Sequence, residues 1–158
     1  MAFDAFLKID GIEGEAANIK FVKWITVESF SWGVSNTGSV VVGGGGGEGK
    51  ATPQDLHVVA PTQISSPKLF LATATGTHFK FAELQVVGRD SQAFIKLRLE
   101  DVLVSSFQMG GGSGDALPRD SIALSYAKAT ESVSRRRADG TLDAPFTAAF
   151  DFKLNKQG

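Results

Sequence analysis

Alternation of apolar and polar residues with a period of two is the main pattern along this chain. The first predicted strand carries its apolar side chains at Phe3, Ala5, Leu7 and Ile9. Polar residues such as Asp4 fall between them, so one face of this strand is buried and the other meets solvent. The chain therefore opens with a half-buried β-strand.

Similar patterns predict further strands, rich in β-branched and aromatic residues. They cover residues 22–34, 56–60, 79–87, 94–107, a run that begins at 122, and 146–154. Residues 22–34 carry bulky side chains on both faces. We therefore expect this segment to pack against its own core on one side, and against a loop or a neighbouring subunit on the other.

Two local features refine the strand prediction. In residues 94–107 the alternation of Leu97 and Leu99 would bury Asp101, so we expect a bulge near residues 100–102 that resets the register. Asp139-Gly140 predicts a hairpin with a type I′ turn, because both central positions of that turn need positive φ.

One segment is predicted to be helical. Ser66 is placed at the N-cap, Pro67 at the first helical position, and Gly76 ends the helix. Many short strands with one short flanking helix predict a mainly β fold, a two-sheet barrel or sandwich. The length predicts a single domain over residues 1–158.

Composition excludes several classes of function. Sixteen Lys and Arg nearly balance 17 Asp and Glu, so the protein has no net electrostatic field that would attract nucleic acid or an anionic membrane. The sequence has no cysteine, which excludes disulfides and thiolate ligands. The N-terminus lacks a basic stretch before an apolar core, so we expect no signal peptide and a cytoplasmic site of synthesis. No apolar run approaches the ~20 residues that span a bilayer.

Glycine clusters mark two loops, at residues 43–49 and 110–114. The first lies in a predicted extended loop over about residues 35–53, and loops of that length are usually functional or disordered. Gly44 to Lys50 match the first seven positions of a phosphate-binding P-loop, but Ala51 replaces the hydroxyl residue that binds Mg²⁺. A glycine-rich structural loop is the preferred interpretation.

Other candidate chemistry is weak. His57 and His78 lack metal-ligand spacing, and Glu100 and Asp101 point to opposite strand faces. The Arg135-Arg136-Arg137 run can contact phosphate or an acidic partner, although a solvated hairpin tip is favoured. The aromatic residues Trp24, Phe30 and Trp32 could stack on bases or sugars, but packing is favoured. The sequence therefore predicts no catalytic residue, cofactor or metal.

Several segments occur in a specific order along the chain: Met1 to Ile9, Gly14-Glu15, Ser31-Trp32-Gly33, the glycine run ending Gly49-Lys50, Asp55-Leu56, Ser66-Pro67, and Leu99 to Ser106 before the second glycine cluster. In this order they resemble the haemolysin-coregulated proteins, the tube subunits of type VI secretion systems. The resemblance extends over essentially the whole chain.

The resemblance implies six copies in a ring, and rings stacked into a hollow tube that is propelled by a contractile sheath and secreted. It also implies a spike that caps the tube, effector proteins in the lumen, and no C-terminal toxin extension after Gly158. Ser31, which points opposite to Trp32, is the predicted lumen-facing residue. The predicted inter-ring contact is formed by Val41, Val42, Gly43, Gly44, Gly45, Gly46, Gly47, Glu48, Gly49 and Lys50.

Two alternatives stay open at this point: a monomeric β-barrel that holds a small ligand or carbohydrate, and an enzyme. Light scattering after size-exclusion chromatography separates a ring from both. The sequence does not specify the cargo, the stacking polarity or the strands of the subunit interface.

Overall fold

The computed structural model describes residues 2–38 and 49–158, and in them the protein is mainly β with one helix. The strands are β1 (Asp4–Ile9), β2 (Ile25–Val27), β3 (Ser29–Ser31), β4 (Val34–Asn36), β5 (Ala51–Pro53), β6 (Leu56–Pro61), β7 (His78–Val87), β8 (Ala93–Gly110), β9 (Arg119–Val133), β10 (Phe146–Asp151) and β11 (Lys156–Gln157). The helix α1 (Ser66–Thr75) lies between β6 and β7. The strands predicted near 56–60, 79–87 and 94–107 are confirmed.

The long hairpin of β8 and β9 organises the sheets. One sheet runs in the order β11-β10-β9-β8-β7-β1-β2, and β6 pairs with β9 outside this path and carries β3 on its other side. Residues 119–124 of β9 pair with β6, whereas residues 128–133 pair with β10. The two long strands therefore belong to both layers of the protein.

A one-residue break at Glu28 leads the chain from β2, beside β1, to β3, beside β6. The Glu28 backbone N–H donates to the carbonyl of Val59 at 2.8 Å across this corner. Because β2 and β3 are separate strands, the described strands wrap the core without forming a continuous closed barrel. The sandwich form of the predicted fold is the one observed.

The core lies between the layers and receives side chains from nearly every long strand. Its largest fully buried members are Leu7, Ile9, Ile25, Leu56, Leu69, Leu84, Leu99, Leu124, Val58, Val86 and Val102. A smaller cluster of Phe6, Ala16, Phe21 and Val87 lies on the other face of β1, so β1 is covered on both sides.

The buried face of β8 switches at Asp101, but without the predicted reset of register. Leu99 and Val102 are both fully buried, three positions apart. On β7 the inward-facing position moves in the same way, from Ala82, which pairs with Leu99, to Phe79, which pairs with Val102. On β9 it moves from Ala129 to Tyr126, so all three strands switch face together. Asp101 has φ +56° and is exposed. The register shift of the β8–β9 pair instead lies between residues 104 and 106.

Two strand predictions were wrong in extent. Residues 25–34 are divided among β2, β3 and the start of β4. Residues 22–24 are not in a strand, because Lys23 adopts φ +68° in a turn that precedes Ile25. The last predicted strand ends at Asp151, and residues 152–155 form a turn with Asn155 at φ +53°. The chain then reverses into β11, which pairs with β10.

The helix prediction is confirmed in extent, but its N-cap is Ser65 rather than Ser66. The Ser66 hydroxyl instead hydrogen-bonds the carboxylate of buried Asp120, which also accepts from Thr62 at 2.8 Å. Gly76 ends the helix with φ +66°, a conformation that costs glycine little.

A turn lies at Asp139-Gly140 as predicted, with Arg136 bridging Leu142 across it. Its type differs from the prediction, because only Gly140, at φ +89°, has positive φ. A type I′ turn would need positive φ at both central residues.

Candidate assembly surfaces

One outward sheet face carries small and mostly uncharged side chains. Two rows cross β3, β6, β9 and β8 on this serine-rich face: Ser29, Val59, Ser121 and Gln108 in one, and Ser31, His57, Ala123 and Ser106 in the other. A shallow groove of about 330 Å³ lies over part of this face. The only ionisable side chain in the two rows is His57.

Ser31 lies on this face, exposed, at the end of β3. The next residue, Trp32, turns to the opposite side and packs against the core. The predicted orientation of Ser31 relative to Trp32 therefore agrees with the structure, whereas a lumen position remains a prediction. Charged groups appear at one end of the face, where Arg119 pairs with Glu28 at 2.6 Å.

β4 and β5 form a small antiparallel hairpin, and the glycine run of the sequence falls between these two strands along the chain. Trp32 Nε1 donates to the hydroxyl of Tyr126, and that hydroxyl donates to the carbonyl of Gln54 at 2.7 Å. Burial raises the pKa of Tyr126 to about 12, which keeps its proton available for this bond. These bonds fix the base of the hairpin to the core.

Of the predicted inter-ring residues, Gly49 and Lys50 are described, whereas 41–48 lie outside the described residues. Asn36 Nδ2 donates to the carbonyl of Gly49 at 3.3 Å, and the Lys50 backbone N–H donates to Thr37 at 3.3 Å. Lys50 is exposed and directly precedes β5. A P-loop lysine would instead open a helix.

The C-terminal strand pair carries an apolar surface that no other described residue covers, on the strand that the alternation around residues 146–150 predicted. On β10, Phe146, Ala148 and Phe150 share a side with Val133, Glu131 and Ala129 of β9. Phe146 is 76% exposed and Val133 is 40% exposed. We call β10 and β11 with this face the C-terminal flap.

An apolar groove separates the flap from the base of the β4–β5 hairpin. It has a volume of about 460 Å³ and lies between Trp32 and Val34 on one side and Ala148 and Phe150 on the other. The alternation on β10 was visible in the sequence. Its exposure could not be predicted, because it depends on tertiary packing: β6 pairs only with residues 119–124 of β9, and β10 takes the place beside residues 128–133.

Neither histidine enters a catalytic constellation. His78 Nδ1 lies 2.9 Å from the Asp101 carboxylate at an exposed position, and His57 lies on the serine-rich face. Within residues 2–38 and 49–158, no group of three or more His, Cys, Asp or Glu is arranged to hold a metal ion.

The arginine run and the aromatic residues are engaged within the chain. Arg135 and Arg137 both pair with Asp143, and Arg136 pairs with Asp90 at 3.1 Å. The pKa of Asp143 is lowered, first by its hydrogen bond from Arg135.

The three aromatic residues do not form one platform. Trp24 stacks edge-on against Phe21, at 5.0 Å between ring centroids, whereas Phe30 contacts Phe3 at 6.2 Å and Trp32 bonds Tyr126. In the described part of the chain, no helix is long and apolar enough to cross a membrane.

Comparison with known proteins gives one consistent result. A family described as "Type VI secretion system effector, Hcp" matches residues 6–132. A Pseudomonas aeruginosa protein called protein hcp1 is 34% identical over 161 residues, which covers 99% of each chain.

Solved structures agree in fold. One described as a type six secretion system protein has a TM-score of 0.94 at 30% identity, covering 99% of this chain and 100% of its own. Hcp1 from Salmonella typhimurium has a TM-score of 0.82 at 29% identity and full coverage of both chains.

Proposed function

Because the chain belongs to the Hcp family of type VI secretion system proteins, we propose that it is a structural subunit of the secretion tube and carries no catalytic site. Six copies form a ring, and rings stack into a hollow tube. The observation that carries the proposal is family membership along nearly the whole chain. The tube is assembled in the cytoplasm, driven by a contractile sheath, capped by a spike and then exported.

The serine-rich face suits the wall of the lumen. Proteins that travel inside a tube must not adhere to it, so its wall should lack large apolar patches and strong charge. Ser31 and Ser121 contribute small hydroxyl groups there. Effector proteins in the lumen would therefore meet a neutral polar surface that offers hydrogen bonds.

The segment from Val41 to Lys50 provides the contact between rings. Glycines 43–47 carry almost no side-chain surface, so a backbone there can approach a partner closely. Hydrogen bonds from Trp32 to Tyr126 and from Tyr126 to Gln54 hold the base of the β4–β5 hairpin against the core, which supports a contact that starts from an anchored base.

Light scattering tests the ring. At micromolar concentration we expect about six times 16.7 kDa. A persistent monomer would overturn the proposal and favour the alternative of a monomeric ligand-binding protein, whose ligand would occupy the apolar groove beside Trp32.

A shorter linker in place of Gly44 to Gly47 tests the inter-ring segment. We expect soluble rings that form no tubes in electron microscopy and no longer support secretion. Serine at the same four positions keeps the length and is the matched control. Normal tubes and export from the shortened variant would contradict this role.

Titration calorimetry with Mg-ATP tests the P-loop alternative. We expect no heat of binding, because Ala51 lacks the hydroxyl for Mg²⁺. A dissociation constant in the micromolar range that disappears in Lys50→Ala would contradict the structural role of this loop.

A further inference from the structure

The C-terminal flap has the pattern of a buried strand but no cover within the described chain. Phe146 and Ala148 continue the buried side of β9, yet both are exposed. Glu131 of β9 lies on this side, directly opposite Ala148, and within the described residues it forms no ion pair. The flap therefore offers an apolar strip with one free carboxylate.

The opposite edge of the same sheet carries a basic groove. This groove, of about 310 Å³, lies between β1, the turn before β2 and the start of α1, and its lining includes Lys8, Val22, Lys23, Trp24 and Lys68. Val22 is 56% exposed. Glu13, which lies 3.9 Å from the Lys23 ammonium, is the only carboxylate among the lining residues.

The strand register places flap and groove at the same height along the strands. Lys8 on β1 pairs with Glu83, which pairs with Arg98; across β9, the same row reaches Ala149 on β10. The neighbouring row joins Leu7 to Glu131 and Ala148 in the same way. The groove residue Lys8 and the flap residues Glu131 and Ala148 therefore lie at opposite ends of adjacent rows, on opposite faces of the sheet.

We infer that the C-terminal flap of one subunit seats against the basic groove of the next copy of this chain. Phe146 and Ala148 would cover exposed Val22, and Glu131 would face the lysines of the groove. This inference rests on the proposed ring, and it identifies the two surfaces that form the ring.

The geometry favours closure over a filament. A cyclic assembly needs a heterologous contact, in which each subunit uses two different surfaces. Because flap and groove lie at the same height, a rotation about the ring axis can bring the groove of one copy to the flap of the next with little translation along that axis. The last copy can therefore contact the first. Opposite charge on the two surfaces rejects flap-to-flap and groove-to-groove contacts.

Two variants, each with one of the two contact surfaces disabled, test the inference. Glu131→Lys/Phe146→Asp disables the flap but keeps the groove, and Val22→Asp/Lys68→Glu disables the groove but keeps the flap. All four side chains are exposed, so both variants should fold, which circular dichroism and thermal melting check. Met109→Asp, at a residue 63% exposed outside both surfaces, is the control and should remain hexameric.

Each variant alone should elute as a monomer of about 16.7 kDa. In an equimolar mixture, the intact groove of the first variant can bind the intact flap of the second, and the two remaining surfaces are disabled. The mixture should therefore form a dimer of about twice that mass and nothing larger. A variant that remains hexameric alone, or a mixture that stays monomeric, would overturn the inference. A wild-type protein that is itself monomeric would instead overturn the proposed ring.

Discussion

The two outward faces of the sandwich differ in charge although they share strands β8 and β9. The serine-rich face has one ionisable side chain in its two rows. The face over β1, β7, the first half of β8 and the second half of β9 is charged, and we call it the charged face. Its members include Lys8, Glu83, Lys96, Arg98, Glu100, Lys128 and Asp151.

Contacts within the charged face show how its cations are held. Arg98 lies over the Phe81 ring, at 4.3 Å from its centroid, and Lys128 lies 3.9 Å from Glu100. Charges of both signs alternate there, which suits a surface in contact with water. The two rows of the serine-rich face contain no such pair, and the Arg119–Glu28 pair lies at its end, so a protein beside these rows meets no strong local field.

The contrast shows that one strand can contribute outward residues to two chemically different faces when its buried side switches partway along its length. At Asp101 all three neighbouring strands change face together, so the core continues while the outward residues change from charged to small. The two faces are therefore independent in chemistry but depend on a common core.

The largest effect should come from the core beneath both faces. Leu99 is fully buried beside the switch, and Leu99→Ala should lower the free energy of unfolding by about 2–5 kcal/mol. Denaturant unfolding measures the loss. Lys96→Ala, on the exposed side of the same strand, should change it by less than about 0.5 kcal/mol. Equal effects would show that the switch region is not the common support.

Charge placed on the serine-rich face should remove the difference between the faces. Ser31→Arg adds a bulky cation to an exposed row, so we expect rings to persist while effector retention falls severalfold. Co-purification of effector with the ring measures retention. Thr130→Arg on the charged face is the matched control and should retain effector normally. Loss of the ring in Ser31→Arg would place Ser31 in a core or subunit interface.

The switch itself can be tested through backbone conformation. Asp101 has φ +56°, which a β-branched residue adopts only with strain, so Asp101→Val should cost about 1–2 kcal/mol of stability. Asp101→Asn removes the charge beside His78 but tolerates this φ, and it separates the two contributions. If Val and Asn variants unfold at the same denaturant concentration, the conformation of residue 101 is not limiting.

Local patterns predicted most elements of this fold, while contacts distant in sequence decided the rest. The alternation of β1, β6 and β7 and the caps around Gly76 follow from short-range rules. The break at Glu28 depends on pairing with Val59, a partner that nearby residues do not specify. The local alternation around Leu97 and Leu99 indicated where the phase changes at Asp101, but not that all three paired strands would switch face without a register shift.

The features of the assembly surfaces likewise divide into those that local sequence predicts and those that depend on contacts distant in sequence. The orientation of Ser31 followed from its position next to Trp32, because neighbours in a strand alternate. The link from Trp32 through Tyr126 to Gln54 joins residues up to 94 positions apart, so no local motif could predict it. The exposure of Phe146 depends on where β6 ends beside β9.

The smallest effect concerns acid. Exposed ion pairs with Arg135 and Arg136 lower the pKa of Asp143 and of Asp90, two carboxyl groups at one end of the charged sheet. A carboxyl whose pKa is lower in the folded state stabilises the protein above its unfolded pKa, about 3.9, and this contribution is lost as the pH falls through the folded value. Asp143→Asn should therefore melt below the wild type near neutral pH and converge with it in strong acid. Ser121→Ala on the serine-rich face removes no carboxylate, so its difference in melting temperature from the wild type should not change over this range. Thermal melts of the three proteins at about pH 7 and about pH 2.5 measure both differences. A constant gap between Asp143→Asn and the wild type would show that Asp143 stabilises the hairpin through contacts other than its charge.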